Sequence, residues 1–343
     1  MRSRRLTLIL SCWPHVLSRF PAKPLPERLR PRSLQESLIK ALIIAGLLLT
    51  WLAPAARASG IFWGASTAIA SANLDGTGVN NSFIAGANSP FDVVVDGAFI
   101  YWTNLNGGTI GRANLDGTGV NQSFITGASS PVGLAVDATH IYWTNGASSG
   151  PSIGRANLDG TGVNQTFIPG VSAPGLAVDG SYLFFSTNPG PGLGPPSIGR
   201  ANLDGTGVNP SFITPSTALS DLFGLAVDGT HIYWAHLGSN TIGRANLDGT
   251  GVNDSFITGA NLPAGVAVDG TFIYWANSGT SSTLQSIGRA NLDGTGVNQS
   301  FITPGYGPIG IAVSPVPEPA TGLLVMAGVL GLAVTRCRAR VSA

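Results

Sequence analysis

The nonapeptide Ala-Asn-Leu-Asp-Gly-Thr-Gly-Val-Asn occurs six times in this chain, with its aspartate at Asp75, Asp116, Asp159, Asp204, Asp248 and Asp293. Successive copies lie 41, 43, 45, 44 and 45 residues apart. Periods of this size belong to propellers and solenoids, where each repeat is one supersecondary unit that buries its apolar faces on its neighbours. A full unit reads Val132-Gly-Leu-Ala-Val-Asp137, Ile141-Tyr-Trp-Thr-Asn145, Ile153-Gly-Arg-Ala-Asn-Leu-Asp159 and Gln165-Thr-Phe-Ile168. Each piece is short, rich in β-branched and aromatic residues, and bounded by turn formers. Nothing in the unit has helical period. Four strands in a repeat of this length compose one propeller blade.

The ends of the array predict a closed ring. It starts at Gly60-Ile-Phe-Trp63, a second strand, and ends at Ile309-Gly-Ile-Ala-Val-Ser314, a first strand. The surplus strand at one end supplies the strand missing at the other, which removes both open edges. The expected fold is therefore all-β, a six-bladed β-propeller with four antiparallel strands per blade, closed by pairing of the C-terminal strand with the N-terminal blade. An open solenoid would want polar capping repeats instead.

The pattern Ile-Tyr-Trp-Thr-Asn, Ile-Gly-Arg-Ala-Asn-Leu-Asp-Gly, Phe-Ile, Gly-Leu-Ala-Val-Asp closely resembles the YWTD repeat, the class B repeat of the LDL-receptor family, over about residues 60–314. Six copies match the six blades of that family, and the resemblance implies protein–protein recognition. The motif's final Asp is Asn here at Asn104, Asn145 and Asn277, and Ala65, Thr187 and His236 elsewhere; one blade reads Leu183-Phe-Phe-Ser-Thr187. A role that needs the motif's carboxylate is therefore not carried over.

Charge is distributed unevenly. Residues 1–58 hold ten Lys/Arg, whereas 59–315 hold fourteen Asp, five Arg, no Lys and no Glu. Clustered cations for phosphate neutralisation are missing, so no nucleic-acid partner is expected. The two cysteines, Cys12 and Cys337, lie outside the repeats, which excludes a disulfide or thiolate chemistry within them.

Both ends read as addresses. After Lys40 comes the apolar run 41–52 and then Ala56-Arg57-Ala58, the order of a secretory signal peptide with cleavage after Ala58 and with Ala56 and Ala58 as the small-residue site. A membrane span needs about 20 apolar residues, more than this run supplies. The C-terminal end reads Pro317-Glu318-Pro319, an apolar stretch over 321–334, and Arg336, Arg338 and Arg340. These parts, in this order, resemble the PEP-CTERM sorting signal of Gram-negative bacteria. The resemblance implies an exosortase-type processing enzyme as partner, transient membrane association through 321–334, and export to the cell surface or the extracellular space, often alongside exopolysaccharide. A plain membrane anchor is the competing reading. The expected domains are thus 1–58 leader and signal peptide, 59–315 propeller and 316–343 sorting signal.

Several repeated residues admit two readings. Asn-Leu-Asp-Gly-Thr-Gly is either a hairpin turn or a calcium loop, and the lack of further acids favours the turn. Arg112, Arg155, Arg200, Arg244 and Arg289 recur once per blade; ion pairs with Asp96, Asp137, Asp179, Asp228 or Asp269 are the expectation. The Tyr-Trp pairs alternate along a strand and so face both neighbouring blades, as core or as sugar-stacking platforms. His140 and His231 stand where other blades carry Phe or Tyr, and read as aromatic fillers. His236 stands alone at the end of a second strand; a metal or general-base role there lacks Glu or a second His. No catalytic, cofactor or metal residue is assigned.

Two sets of connections are uniform across the blades and two vary in length and composition. Because strands alternate in direction, the variable sets (104–109, 187–197, 215–223, 236–241 and 277–286) emerge on one face of the disc. Insertions on one face mark a binding side. The expected ligand face includes Asn104, Asn145, Asn188, His236 and Asn277. A non-catalytic binding or scaffold module with a protein or polysaccharide partner is the leading reading. The alternative is a hydrolase- or lyase-like propeller enzyme using a central metal or His236.

Overall fold

The computed structural model describes residues 59–146, 150–188, 195–215, 221–279 and 285–314. The predicted leader, signal and sorting segments lie outside the described residues. Six four-stranded antiparallel sheets form six blades. Blade one combines Ile311–Ser314 with Gly60–Ala65, Ala68–Ala72 and Asn80–Ala85. Blade two runs Pro90–Val95, Phe99–Asn104, Thr109–Asn114 and Asn121–Thr126. Blades three to six repeat that order from Pro131, Leu176, Leu222 and Pro263. The ring closes as predicted: Gly60 pairs with Ser314 and Trp63 with Ile311.

Six buried apolar clusters lie one at each boundary between blades. Alternation along the second strand sets this up. Trp102 joins the cluster against blade one, whereas its neighbour Tyr101 joins the cluster against blade three. Both are fully buried, so these aromatics are core and cannot stack on sugars. Burying roughly 150–250 Å² of one aromatic at about 25 cal/mol per Å² contributes at most ~4–6 kcal/mol.

Polar groups in the boundaries follow the same sixfold logic. Trp102 Nε1 donates to Gln122 Oε1 at 3.1 Å, and Gln122 Nε2 donates to the Ala85 carbonyl of blade one at 3.0 Å. Gln165 and Gln299 repeat this bridge from Trp143 and Trp275 to Thr126 and Thr258. Asp96 Oδ1 accepts the amides of Ala98 and Phe99 at the tight turn, and its Oδ2 accepts the Tyr101 hydroxyl at 2.9 Å.

The expected Arg–Asp pairing is corrected here. The Arg112 guanidinium lies over the rings of Phe99 and Phe124, 4.5 and 3.9 Å from their centroids. Its Nη1 donates to the Leu158 carbonyl of blade three. Arg155, Arg244 and Arg289 likewise stack on Phe and reach a leucine carbonyl one blade further on. Because the tyrosine hydroxyl and turn amides already occupy the aspartate, the planar guanidinium is satisfied by π faces and a carbonyl.

The Asp-Gly-Thr-Gly segments are hairpin turns. Asp75 Oδ1 accepts both the amide and the hydroxyl of Thr77, at 2.9 and 2.6 Å, and Gly76 and Gly78 have φ of 85° and 65°. The Thr77 hydroxyl and amide hold the exposed Asp75 carboxyl below the usual carboxylate range, and Asp116, Asp159, Asp204, Asp248 and Asp293 behave alike.

Candidate functional site

The first strands crowd together at the end of the disc that carries the variable loops. Five of the six have glycine at one level: Gly133, Gly175, Gly224, Gly265 and Gly310. A Cβ built on Gly175 would stand 2.2 Å from the Phe223 carbonyl oxygen, and one on Gly265 2.5 Å from that of Ile309. Backbone meets backbone here, so no side chain fits. The sixth position is Asp92, whose Oδ1 accepts Val93 N and whose Oδ2 accepts Leu134 N of blade three, both at 2.9 Å. Removal from water raises the Asp92 carboxyl to about 7, against the lowering effect of those two amides.

One residue nearer the variable face, the strands present Phe91, Val132, Pro174, Phe223, Ala264 and Ile309, an apolar rosette. Phe91 and Phe223 come from opposite blades, two and five, and their rings stack with centroids 6.5 Å apart. On the other side of the glycine level, Val, Ala and Leu side chains line an axial pit of about 210 Å³ that opens toward the uniform turns.

Two clefts flank the rosette on the variable face. One, about 650 Å³, runs between Tyr306, Phe91, Leu105 and Gln285. The other, about 340 Å³, lies between Val132, Asn145, Asn188, Asp221 and Phe223. A third hollow of about 330 Å³ sits at Thr187, Asn188 and Pro195. The five described non-glycine residues with positive φ lie on the connections of this face: Ser89, Ser130, Asp221 and Leu262 each directly before a first strand, and Asn240 between a second and a third strand. Such backbone persists only where its surroundings hold it, and it concentrates at functional sites.

The structure buries Asn104, Asn277 and His236 beneath this surface, whereas Asn145 and Asn188 border its hollows. Asn104, Asn145 and Asn277 are 2, 4 and 1 % exposed. Asn104 Oδ1 accepts Asn88 N, while its Nδ2 donates to Thr109 Oγ1 and to the Gln122 carbonyl. One amide thereby ties together the second-to-third loop, the fourth strand and the loop that enters the blade; Asn145 and Asn277 do the same. Asn188 is half-buried and clamps Leu222 of the next blade through its N–H and carbonyl, while its side chain borders two hollows. His236 is fully buried, and neither ring nitrogen has a hydrogen-bond partner. Its Nε2 lies 3.9 Å from Asp254 Oδ1, and burial lowers its pKa against the opposing charge of Asp254. Trp234 Nε1, next to it, also lacks a partner.

No group of three or more His, Cys, Asp or Glu among the described residues could hold a metal ion. The rosette, Tyr306 and Asp92 escaped sequence reasoning. Their signal was departure from the repeat: Asp92 where the other five blades have Gly, Phe91 and Phe223 where the others have Val, Pro, Ala or Ile, and Pro304-Gly-Tyr-Gly-Pro308 in place of the usual entry loop.

Residues 315–339 match the PEP-CTERM protein-sorting motif. No curated protein matches the chain. Among solved structures, the propeller is similar to a chain of the nidogen/laminin complex, with 20% identity and a TM-score of 0.64, covering 76% of this chain and 99% of that one. It is also similar to TolB from Acinetobacter baumannii, with 16% identity and a TM-score of 0.55 over 76% of this chain and 68% of that one. The PQQ-bound aldose sugar dehydrogenase from Streptomyces coelicolor gives 16% identity and a TM-score of 0.51, over 77% and 91%. At these identities the likeness establishes the fold alone: a six-bladed propeller. The sorting motif marks the chain for export and for processing to the cell surface or the extracellular space. Among the described residues no helix is long and apolar enough to cross a membrane, and a transmembrane helix has no support there; the apolar segment 321–334 lies outside them.

Proposed function

We propose that this exported propeller is a non-catalytic binding or scaffold module of the cell surface, and that it binds through its variable-loop face. The observation that carries this reading is the co-location on one face of the clefts, the strained loops and the departures from the repeat. The opposite face repeats the same two kinds of turn around the ring, and its axial pit is lined by equivalent residues of all six first strands. A protein or a polysaccharide of the surrounding matrix is the proposed partner, and an exosortase-type enzyme the processing partner at residues 316–343.

Chain direction adds an orientation. First strands run from the variable face toward the uniform turns, so Ser314, the last described residue, leaves the disc on the uniform side next to Gly60. The test is affinity capture from native envelope and culture supernatant, comparing the intact protein with a variant whose 187–197 loop is replaced by the 104–109 sequence. Loss of the captured partner is expected; unchanged capture defeats the reading.

A further inference from the structure

We infer that the cleft at Tyr306 takes an uncharged oligosaccharide, with the tyrosine ring as its stacking platform. The inference rests on the variable face being the binding side.

Charge narrows the ligand first. The propeller has no lysine, and each of its five guanidinium groups is stacked on an aromatic ring at a blade boundary. An anionic ligand finds no free cation there. Among the described residues the cleft wall contains no acid either, so a cationic ligand finds no counter-charge there. What remains is a neutral molecule.

Shape and chemistry narrow it further. Tyr306 is 58 % exposed, the most exposed large aromatic of the described residues. It stands between Gly305 and Gly307, in a loop whose ends are restrained by the fixed φ of Pro304 and Pro308. A ring that projects from a lip is a flat surface to stack on, not a socket that encloses an apolar side chain. Phe91 adds a second apolar surface, and Ser66, Ser89 and Gln285 border the space with hydroxyl and amide groups. Alternating C–H faces and hydroxyls on a neutral sugar complement that lining. The same loop in the other blades has no aromatic residue, so the platform occurs once in the ring.

The test uses the full chain in detergent, titrated calorimetrically with cellohexaose, maltohexaose, laminarihexaose and chitohexaose, and with hexagalacturonate as the charged counterpart. Saturable binding of at least one neutral hexamer is expected, weakened at least tenfold by Tyr306→Ala and changed less than threefold by Tyr306→Phe, with hexagalacturonate bound at least tenfold more weakly. The inference fails if no neutral hexamer binds, if Tyr306→Ala leaves affinity unchanged, or if hexagalacturonate binds as well. Capture by the loop-replaced variant separates the two ideas. If that replacement abolishes partner capture while no neutral hexamer binds, the face reading stands and the sugar falls.

Discussion

The indole of Trp102 lies flat on Gly111, its cross-strand partner: a Cβ built on Gly111 would stand 2.1 Å from Cε2 of the ring. The relationship repeats for Trp143 on Gly154, Phe185 on Gly199, Trp234 on Gly243 and Trp275 on Gly288. Gly→Ala at any of these sites forces the aromatic out of its boundary cluster. Gly154→Ala is expected to destabilise the propeller by about 1–3 kcal/mol, as overpacking does. Urea unfolding followed by tryptophan fluorescence measures this. Blade one, where Ala70 already faces Trp63, supplies the contrast: there Ala70→Gly should gain nothing.

Arg112 joins blade two to blade three through its ring contacts and the Leu158 carbonyl. A lysine keeps the charge but not the plane. Arg112→Lys is expected to cost about 1–2 kcal/mol, a stacking and hydrogen-bond loss, while the aspartates keep their tyrosine partners. An ion-pair role would instead leave Arg112→Lys near wild type. The same unfolding measurement decides between them.

Asp92 should make stability fall as pH rises. Its carboxyl titrates near 3.8 when unfolded and at about 7 in the ring, so between these values the folded protein holds the extra proton. The contribution of Asp92 to stability is full below about pH 4 and is lost toward pH 7, at a slope of up to ~1.4 kcal/mol per unit. Asp92→Gly, which installs the residue of the other five blades, should remove that slope. A set of urea midpoints across pH 4–8 checks it; an unchanged slope in the variant rules Asp92 out as its source.

His236 acts with the opposite sign. Burial depresses its folded pKa below 6.5, so the unfolded chain takes up the proton first as pH falls. Its contribution is present above about pH 6.5 and is lost below it. Restoring the repeat with His236→Asn and Asp254→Gln gives Trp234 Nε1 the amide acceptor that Trp102 finds in Gln122. The double variant is expected to gain about 1–3 kcal/mol, the usual penalty of an unsatisfied buried polar group, and to gain more than the sum of the single variants. Thermal unfolding at pH 5 and 7.5 tests both statements.

The blades, their number and the closing strand were legible in the sequence because strand period, turn glycines and chain ends are local features, repeated six times. The partners of the polar residues were not. Asn104 looked like a loop tip and is a buried strut; Arg112 looked like an ion-pair donor and lies over phenylalanine rings; Phe91 and Phe223 sit on opposite blades and meet across the axis. Each outcome depends on how six sheets crowd around one axis, and repeat spacing does not encode that crowding. The sequence alone determined a closed six-bladed disc addressed for export. Only the tertiary structure decided which departures from the repeat share a surface, because neighbouring blades join residues one repeat apart, and the axis and the ring closure join residues from distant blades such as Phe91 and Phe223.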